Sequence, residues 1–344
     1  MVTIGIDAHK RSHTVVAVDE RGRRLAETTT GSCSDDHLRL VRWAAKLDEK
    51  RLWAVEDCRH LSRRLERDLL AAGERVVRVP PKLMANVRAG ARSFGKSDPI
   101  DALAVARAAL REPDLPVAKL DGAEREVRLL VDHREDLVGE RTRMISRLRW
   151  HLHELDPGSE PALRTLTHLR NLDRLAQRLA GLEGPVARIA RELVDRCQAL
   201  TSEINQLEEE ISTLVTQLAP ALLAICGCGA LTAAKILGET AGIERFKSPD
   251  AYARHNGTAP LPVWSSNRAR HRLSRNGNRQ LNAALHRIAL TQARLHPDAQ
   301  ALIARRRANG DGGLEALRVL KRRLSDVVYR ALRADTKIEL RLVA

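Results

Sequence analysis

Four acidic residues stand where their side chains could do chemistry on a phosphodiester: Asp7, Glu56, Asp98 and Asp101. Asp7 ends the run Val2-Thr-Ile-Gly-Ile, and Glu56 ends Leu52-Trp-Ala-Val. Apolar runs that stop abruptly on a carboxylate read as strands presenting ligands at the carboxyl edge of an open α/β sheet. Lys96-Ser-Asp98-Pro-Ile-Asp101-Ala reads as a helix start, with Asp98 at the cap, Pro99 in the first turn and Asp101 one turn further on the same face. Carboxylates gathered in one site cannot all stay ionised unless a cation neutralises them, and hard divalent cations take oxygen ligands. The ordered set predicts a two-metal phosphodiester site. Each residue alone also has a structural reading, as a helix cap or the start of a turn.

The balance of charge names the substrate class. Lys and Arg number 59 against 44 Asp and Glu, a formal net charge of +15 over 344 residues. A chain this basic meets a polyanion, either nucleic acid or an acidic membrane surface. No apolar run approaches the ~20 residues needed to cross a bilayer, and the N-terminus has no basic segment followed by an apolar stretch, so the expectation is a cytoplasmic protein. Cys33, Cys58, Cys197, Cys226 and Cys228 are too scattered for a zinc tetrahedron or a disulfide framework. With aromatics at 2%, arginines and helix termini must do most of the gripping in place of ring platforms.

The elements that must position the four carboxylates alternate strand and helix. Val2 to Ile6, His13 to Val18 and Arg24 to Thr30 read as three strands joined by tight turns. A helix opened by Asp35 and Asp36 is expected to bury Leu38, Val41 and Leu47. Leu52 to Glu56 is a buried strand, Leu61 to Ala72 a helix closed by Gly73, and Val76 to Val79 a fifth strand stopped by Pro80-Pro81. That order is the order of a ribonuclease-H-like sheet.

The middle of the chain reads as helix. From Ile189, the residues Leu193, Cys197, Leu200, Ile204, Leu207, Ile211, Leu214 and Leu218 recur at steps of four and three, a coiled-coil seam with Glu208, Glu209 and Glu210 on the outer face. A partner helix runs from Val127 to Leu155, and Pro157-Gly158 breaks it. The pattern fits a hairpin packing on itself as well as a dimer. Near Pro220 a further region begins, in which Gly227-Cys-Gly229 precedes a small-residue helix, as in a helix-hairpin-helix turn where backbone amides approach a phosphate.

Between Ser265 and Arg294 lie seven arginines, at 268, 270, 272, 275, 279, 287 and 294, and no acidic residue. The segment starts beside a Pro-rich, turn-like stretch, so a serine hydroxyl at Ser265 or Ser266 is expected on an exposed loop among guanidiniums. Such cations stabilise charge that builds on phosphoryl oxygens during attack by a hydroxyl. Serines more often just bond a phosphate or the turn backbone, so composition establishes nucleic-acid contact and leaves the nucleophile open.

These motifs together resemble the DEDD-type insertion-sequence transposases, relatives of the Piv-type DNA invertases, some of which are bridge-RNA-guided recombinases. The resemblance runs through Gly5-Ile-Asp7-Ala-His-Lys10, Val55-Glu56, Lys96-Ser-Asp98-Pro-Ile-Asp101-Ala, Gly227-Cys-Gly229, Ala259-Pro260, Arg270-His-Arg-Leu-Ser-Arg275-Asn-Gly-Asn-Arg279-Gln-Leu-Asn282 and Lys321-Arg-Arg-Leu-Ser325. It implies an α/β plus all-α architecture: a RuvC-like domain over residues 1–118, a helical coiled-coil region over 119–219 and a C-terminal transposase domain over 220–344. It further implies Mg²⁺ on Asp7, Glu56, Asp98 and Asp101, and a catalytic serine. That serine falls on Ser265, although Ser266 stands where the family carries glycine. Arg268, Arg270, Arg272, Arg275 and Arg279, with Gly227 and Gly229, would hold nucleic acid. The implied partners are donor and target DNA, a non-coding bridge RNA and further copies of the chain as a dimer or tetramer, with no membrane. Two other readings remain: a RuvC-like metal nuclease or junction resolvase whose serine only contacts phosphate, and a non-catalytic nucleic-acid scaffold. A tyrosine recombinase is disfavoured, because Tyr252 and Tyr329 are the only tyrosines.

Overall fold

The computed structural model describes residues 1–56, 61–80, 83–84, 97–112, 115, 117–118, 122–159, 161–162, 164–265, 268–272 and 277–343. The chain divides into two compact units, Met1–Asp121 and Gly122–Ala344.

The first unit is built on a five-stranded mixed sheet. Its strands are β1 (Val2–Ala8), β2 (Ser12–Val18), β3 (Arg24–Gly31), β4 (Arg51–Glu56) and β5 (Val76–Val79), in the order β3-β2-β1-β4-β5. β1–β2 and β2–β3 pair antiparallel, and β1–β4 and β4–β5 parallel. This is the expected order. β1 is central and buried along its whole length, with the apolar Val2, Ile4 and Ile6 alternating with Thr3, Gly5 and Asp7 on the other face. Val2, Ile4 and Ile6 face a core shared with α1 (Ser34–Ala45) and α2 (Arg63–Ala71). The opposite face of the sheet is covered by the alanine-rich α3 (Asp98–Arg111), through Ala102 and Ala106 against Val16 and Val18, and through Val105 and Ala108 against Ala54 and Val77.

Two sequence expectations change here. α1 buries His37, Leu40 and Ala44, whereas Leu38 is 45% exposed and Val41 and Leu47 are partly covered. The rotation of the helix is fixed by a polar contact that hydrophobic spacing does not register: His37 Nδ1 meets Asp68 Oδ2 of α2 at 2.7 Å, and its ring lies 5.3 Å from that of His13. The cap of α3 is Ser97, with Asp98 as the first helical residue.

The second unit is almost wholly helical. α4 (Ala123–Leu155) and α6 (Pro185–Leu218) form a long antiparallel pair, with α5 (Leu169–Ala180) packed against one end. Val127 and Val131 of α4 share a core with Ile211 and Val215 of α6, while Leu137 meets Leu200 and Ile204. Within the expected seam Cys197, Leu200, Ile204 and Ile211 are buried. Towards both ends the buried positions shift by one residue, to Ala190, Val194 and Val215, beside the partly covered Ile189, Leu193 and Leu214. A straight helix drifts about 20° per heptad against a 3.5-residue repeat; α5 covers the drifted face at Ala190 and Val194, and a separate core takes up Val215. Glu208 is not simply an outer residue: it accepts from Arg134 Nε of α4 at 2.9 Å. The base of this pair enters one core with α8 (Ala230–Thr240), α10 (Arg279–Leu295) and α12 (Gly313–Val343). Between these helices lie α7 (Pro220–Leu223), α9 (Pro249–His255), a two-stranded ribbon of β6 (Leu261–Ser265) and β7 (Arg268–Arg272), and α11 (Pro297–Ala308). No helix among the described residues is long and apolar enough to cross a membrane.

Candidate active site

The site at the carboxyl end of β1 depends on a glycine. A Cβ on Gly5 would fall 2.1 Å from the Ala102 carbonyl oxygen and 2.5 Å from the Ala106 nitrogen, so α3 lies directly on the backbone of β1. Asp98 precedes Ala102 and Ala106 by one and two turns on the same helical row. The close approach therefore carries the start of α3 to the end of β1, two residues beyond Gly5, where Asp7 stands.

His9, just past the strand, completes the contact. Its Nε2 lies 3.3 Å from Asp7 Oδ2 and 3.5 Å from Asp98 Oδ2. One ligand atom from each of Asp7, His9 and Asp98 lies within 4.8 Å of the others, and among the described residues this is the one such grouping of three acidic, His or Cys side chains. Asp7 is buried, while the Asp98 side chain is 60% exposed, so the group is open to solvent on one side.

Glu56 and Asp101 lie outside this close grouping. Ile6 pairs with Val55 in the parallel ladder, which puts Glu56 at the register step of Asp7 on the neighbouring strand. Asp101 is buried in the first turn of α3, and its backbone nitrogen donates to the Ser97 carbonyl at 3.1 Å. The unsatisfied N–H groups of that first turn favour the negative charge of both Asp98 and Asp101. Two carboxylates and an imidazole converging on one point suit a divalent cation: the oxygens match a hard ion, and the ring nitrogen is tolerated by Mn²⁺ more readily than by Mg²⁺. His9 was missed by sequence reasoning. A lone histidine has no periodicity, and its one signal is its place two residues after Asp7.

Ser265 is in a strand, not on the exposed loop that the prolines imply. It is the last residue of β6 and pairs with Arg268 of β7, with Val263 opposite Arg270 and Leu261 opposite Arg272. The three arginines thus occupy alternate positions of one strand. Pro262 is tolerated because each strand of a two-stranded ribbon is an edge. Arg279 begins α10. Ser266 and Arg275 lie outside the described residues.

The ends of this segment are clamped by a polar network. Asn256 Nδ2 donates to Ser325 Oγ at 2.8 Å, Asn282 Nδ2 donates to the Asn256 carbonyl at 2.9 Å, and Lys321 Nζ donates to Asn282 Oδ1. Burial, and then the neighbouring Arg318, hold the Lys321 ammonium below its ordinary pKa. Asn278 caps α10 by accepting from the nitrogens of Gln280 and Leu281 at 2.9 and 3.1 Å, and it donates to Glu239 Oε2 at 2.6 Å. Gly277 crosses Gly257 so closely that a Cβ would lie 2.2 Å from the Gly257 nitrogen. The motif residues after Arg275 and around Lys321 are therefore the frame that holds the base of the ribbon.

Gly227 and Gly229 are placed in the turn before α8. Gly227 has φ +84°, and a Cβ there would meet Thr291 Cβ of α10 at 2.8 Å. Its glycine is required by the packing of two helices. Gly229 caps α8 with open space around it.

Residues 4–157 match the transposase family DEDD_Tnp_IS110, and residues 219–304 match the transposase IS116/IS110/IS902 family. The chain is 27% identical to the "Insertion element IS116 uncharacterized 44.8 kDa protein" of Streptomyces clavuligerus, over 96% of this chain and 94% of that one. It is 26% identical to the "Insertion element IS900 uncharacterized 42 kDa protein" of Mycobacterium paratuberculosis, over 96% of each. Among solved structures, the Thermus thermophilus RuvC structure aligns with 34% of this chain and 100% of its own, at 17% identity and a TM-score of 0.28. With both halves matched in order, the chain belongs to the IS110-type family of DEDD transposases, enzymes of insertion sequences that cut and rejoin DNA.

Proposed function

We propose that this transposase cuts DNA with Ser265 as nucleophile, assisted by a divalent cation, Mg²⁺ or Mn²⁺, held by Asp7, Glu56, Asp98 and Asp101 together with His9. The observation that carries the reading is the seating of α3 on Gly5, which brings Asp98 to Asp7 across the His9 ring. The cation, when bound, offsets charge on the phosphoryl oxygens and lowers the pKa of a coordinated hydroxyl. Asp7 and Asp98 would supply its oxygen ligands and His9 a ring nitrogen, with Glu56 and Asp101 closing the site from the neighbouring strand and the first turn of α3.

In the cleavage step a bond forms between Ser265 Oγ and phosphorus as the bond from phosphorus to the 3′ oxygen breaks. The serine hydroxyl gives up its proton and the departing 3′ oxygen takes one, leaving a 5′-phosphoserine linkage and a free 3′-hydroxyl. Rejoining is the same displacement in reverse, made by the 3′-hydroxyl of the new partner strand. Arg268, Arg270, Arg272, Arg275 and Arg279 position the DNA backbone and offset charge on the phosphate, without reading bases.

In this reading residues 1–118 form a RuvC-like domain holding the metal centre, 119–219 a coiled-coil arm, and 220–344 the serine domain with a helix-hairpin-helix turn at Gly227–Gly229. Target choice is delegated to a bridge RNA, and the chain works as a homo-oligomer. Mapping the covalent adduct formed with DNA carrying the element ends, by peptide mass after denaturation, tests the serine. An adduct on Ser265 is expected, and one on Ser266 moves the assignment by a residue. A Ser265→Ala, Ser266→Ala double variant that still recombines DNA would leave a metal nuclease acting without serine.

A further inference from the structure

Trp150 is 77% exposed, in a chain whose aromatic content is 2%. It stands near the end of α4, and Arg143 and Arg147 precede it by two turns and one, a spacing that sets all three on one face of the helix. Both arginines are exposed, and neither is in an ion pair among the described residues. Glu154, one turn beyond Trp150, ends the row. α5, packed in the same core as this end of α4, carries a second exposed row at Arg170, Arg174 and Arg178.

A solvent-facing indole beside free guanidiniums is the surface on which an unpaired base stacks while its flanking phosphates meet the cations. Two-fold packing centred on Arg143 and Arg147 would set these cations against one another, which makes a second copy of the chain a poorer occupant of this stretch. Duplex DNA is poorer too, since its bases are stacked inside and cannot reach a ring on a convex helix, whereas the loops of folded RNA present unstacked bases.

We infer that this end of the helical arm binds an unpaired loop of a folded RNA, with a base on Trp150 and the adjoining phosphates on Arg143 and Arg147. The inference rests on the reading that the chain works with an RNA, and it supplies a contact for that RNA. The test titrates the full chain into a fluorescein-labelled RNA stem–loop with an adenosine loop. The unlooped RNA duplex and the loop sequence as single-stranded DNA serve as comparisons.

Trp150→Ala alters an exposed residue, and its melting curve should match the parent's. It is expected to weaken stem–loop binding roughly 5- to 150-fold, the range of one stacked base. Duplex binding should be unchanged, and Trp150→Phe should recover part of the loss. Equal affinity of parent and Trp150→Ala for the stem–loop overturns the inference. So does an equal loss on the duplex, or a change of oligomeric state in sedimentation, which would assign the ring to a protein contact. Tighter binding of the single-stranded DNA than of the RNA loop would overturn the choice of RNA. A parent chain that binds no RNA would instead remove the RNA-guided reading itself, so the two failures are distinguishable.

Discussion

Gly5 is the residue on which the acidic site turns. The distances of 2.1 and 2.5 Å from its would-be Cβ to the backbone of α3 leave no room for a methyl group. Gly5→Ala must therefore push the helix start away from β1. Overpacking of this kind costs about 1–3 kcal/mol, and denaturant unfolding of the N-terminal unit should show a loss of that order. The larger effect is expected on chemistry: metal-dependent cleavage should fall sharply while DNA affinity persists. Unchanged cleavage in Gly5→Ala would mean that the seating of α3 does not position the ligands. His9→Ala should weaken Mn²⁺ binding more than Mg²⁺ binding, read by titration calorimetry, because the ring nitrogen suits the former. The carboxylates were legible in the sequence because each ends an apolar run or opens a helix. Gly5 and His9 were not, since a glycine in a strand and a single histidine declare nothing until the packing partner is known.

Among the elements, the strands of the sheet and the long helices could be read from periodicity, but the phase of their burial could not. α1 offers Leu38, Leu40 and Val41 for the core, and the His37–Asp68 contact selects the face with Leu40. The ribbon of β6 and β7 was hidden by Pro260 and Pro262 and by arginines, which carry no apolar alternation. The period of two in Arg268, Arg270 and Arg272 was its only trace. If that strand grips the DNA backbone, replacing Arg270 and Arg272 by Ala should lower the log–log salt slope of binding by about 2, at ~0.9 per phosphate contact. An unchanged slope would place the strand away from DNA. The clamp at the base of the ribbon makes a separate prediction. Asn282→Ala strips the Lys321 ammonium and the Asn256 carbonyl of their partners, an expected loss of about 1–3 kcal/mol. Strand exchange should suffer before DNA binding does. A variant as stable as the parent would show that water replaces the amide.

At the scale of the whole molecule, each compact unit holds a histidine, buried His13 and half-buried His255, that its surroundings keep neutral. Burial, and then the neighbouring His37, lower His13 from 6.5 to about 4; burial, and then Arg245, lower His255 likewise to about 4. Below pH 6.5 the unfolded chain takes up protons that the folded chain refuses until about pH 4, so stability should fall as the pH drops through that window and level off below it. Melting curves of the parent and of His13→Gln test this, since the variant should lose part of the slope; identical slopes would place the acid sensitivity elsewhere. The net charge of +15 and the family of insertion-sequence transposases agree on DNA as substrate. The central claim of the proposed function is that the trio at the end of β1 holds the metal for cutting it. The most direct measurement is cleavage of DNA carrying the element ends, with and without Mg²⁺ or Mn²⁺, by the parent, Asp7→Asn and Asp98→Asn. The account predicts that cleavage requires the cation and is lost in both variants, which still bind DNA and melt as the parent does. Cleavage that survives chelation of the metal, or that proceeds at the parent's rate in either variant, would contradict it.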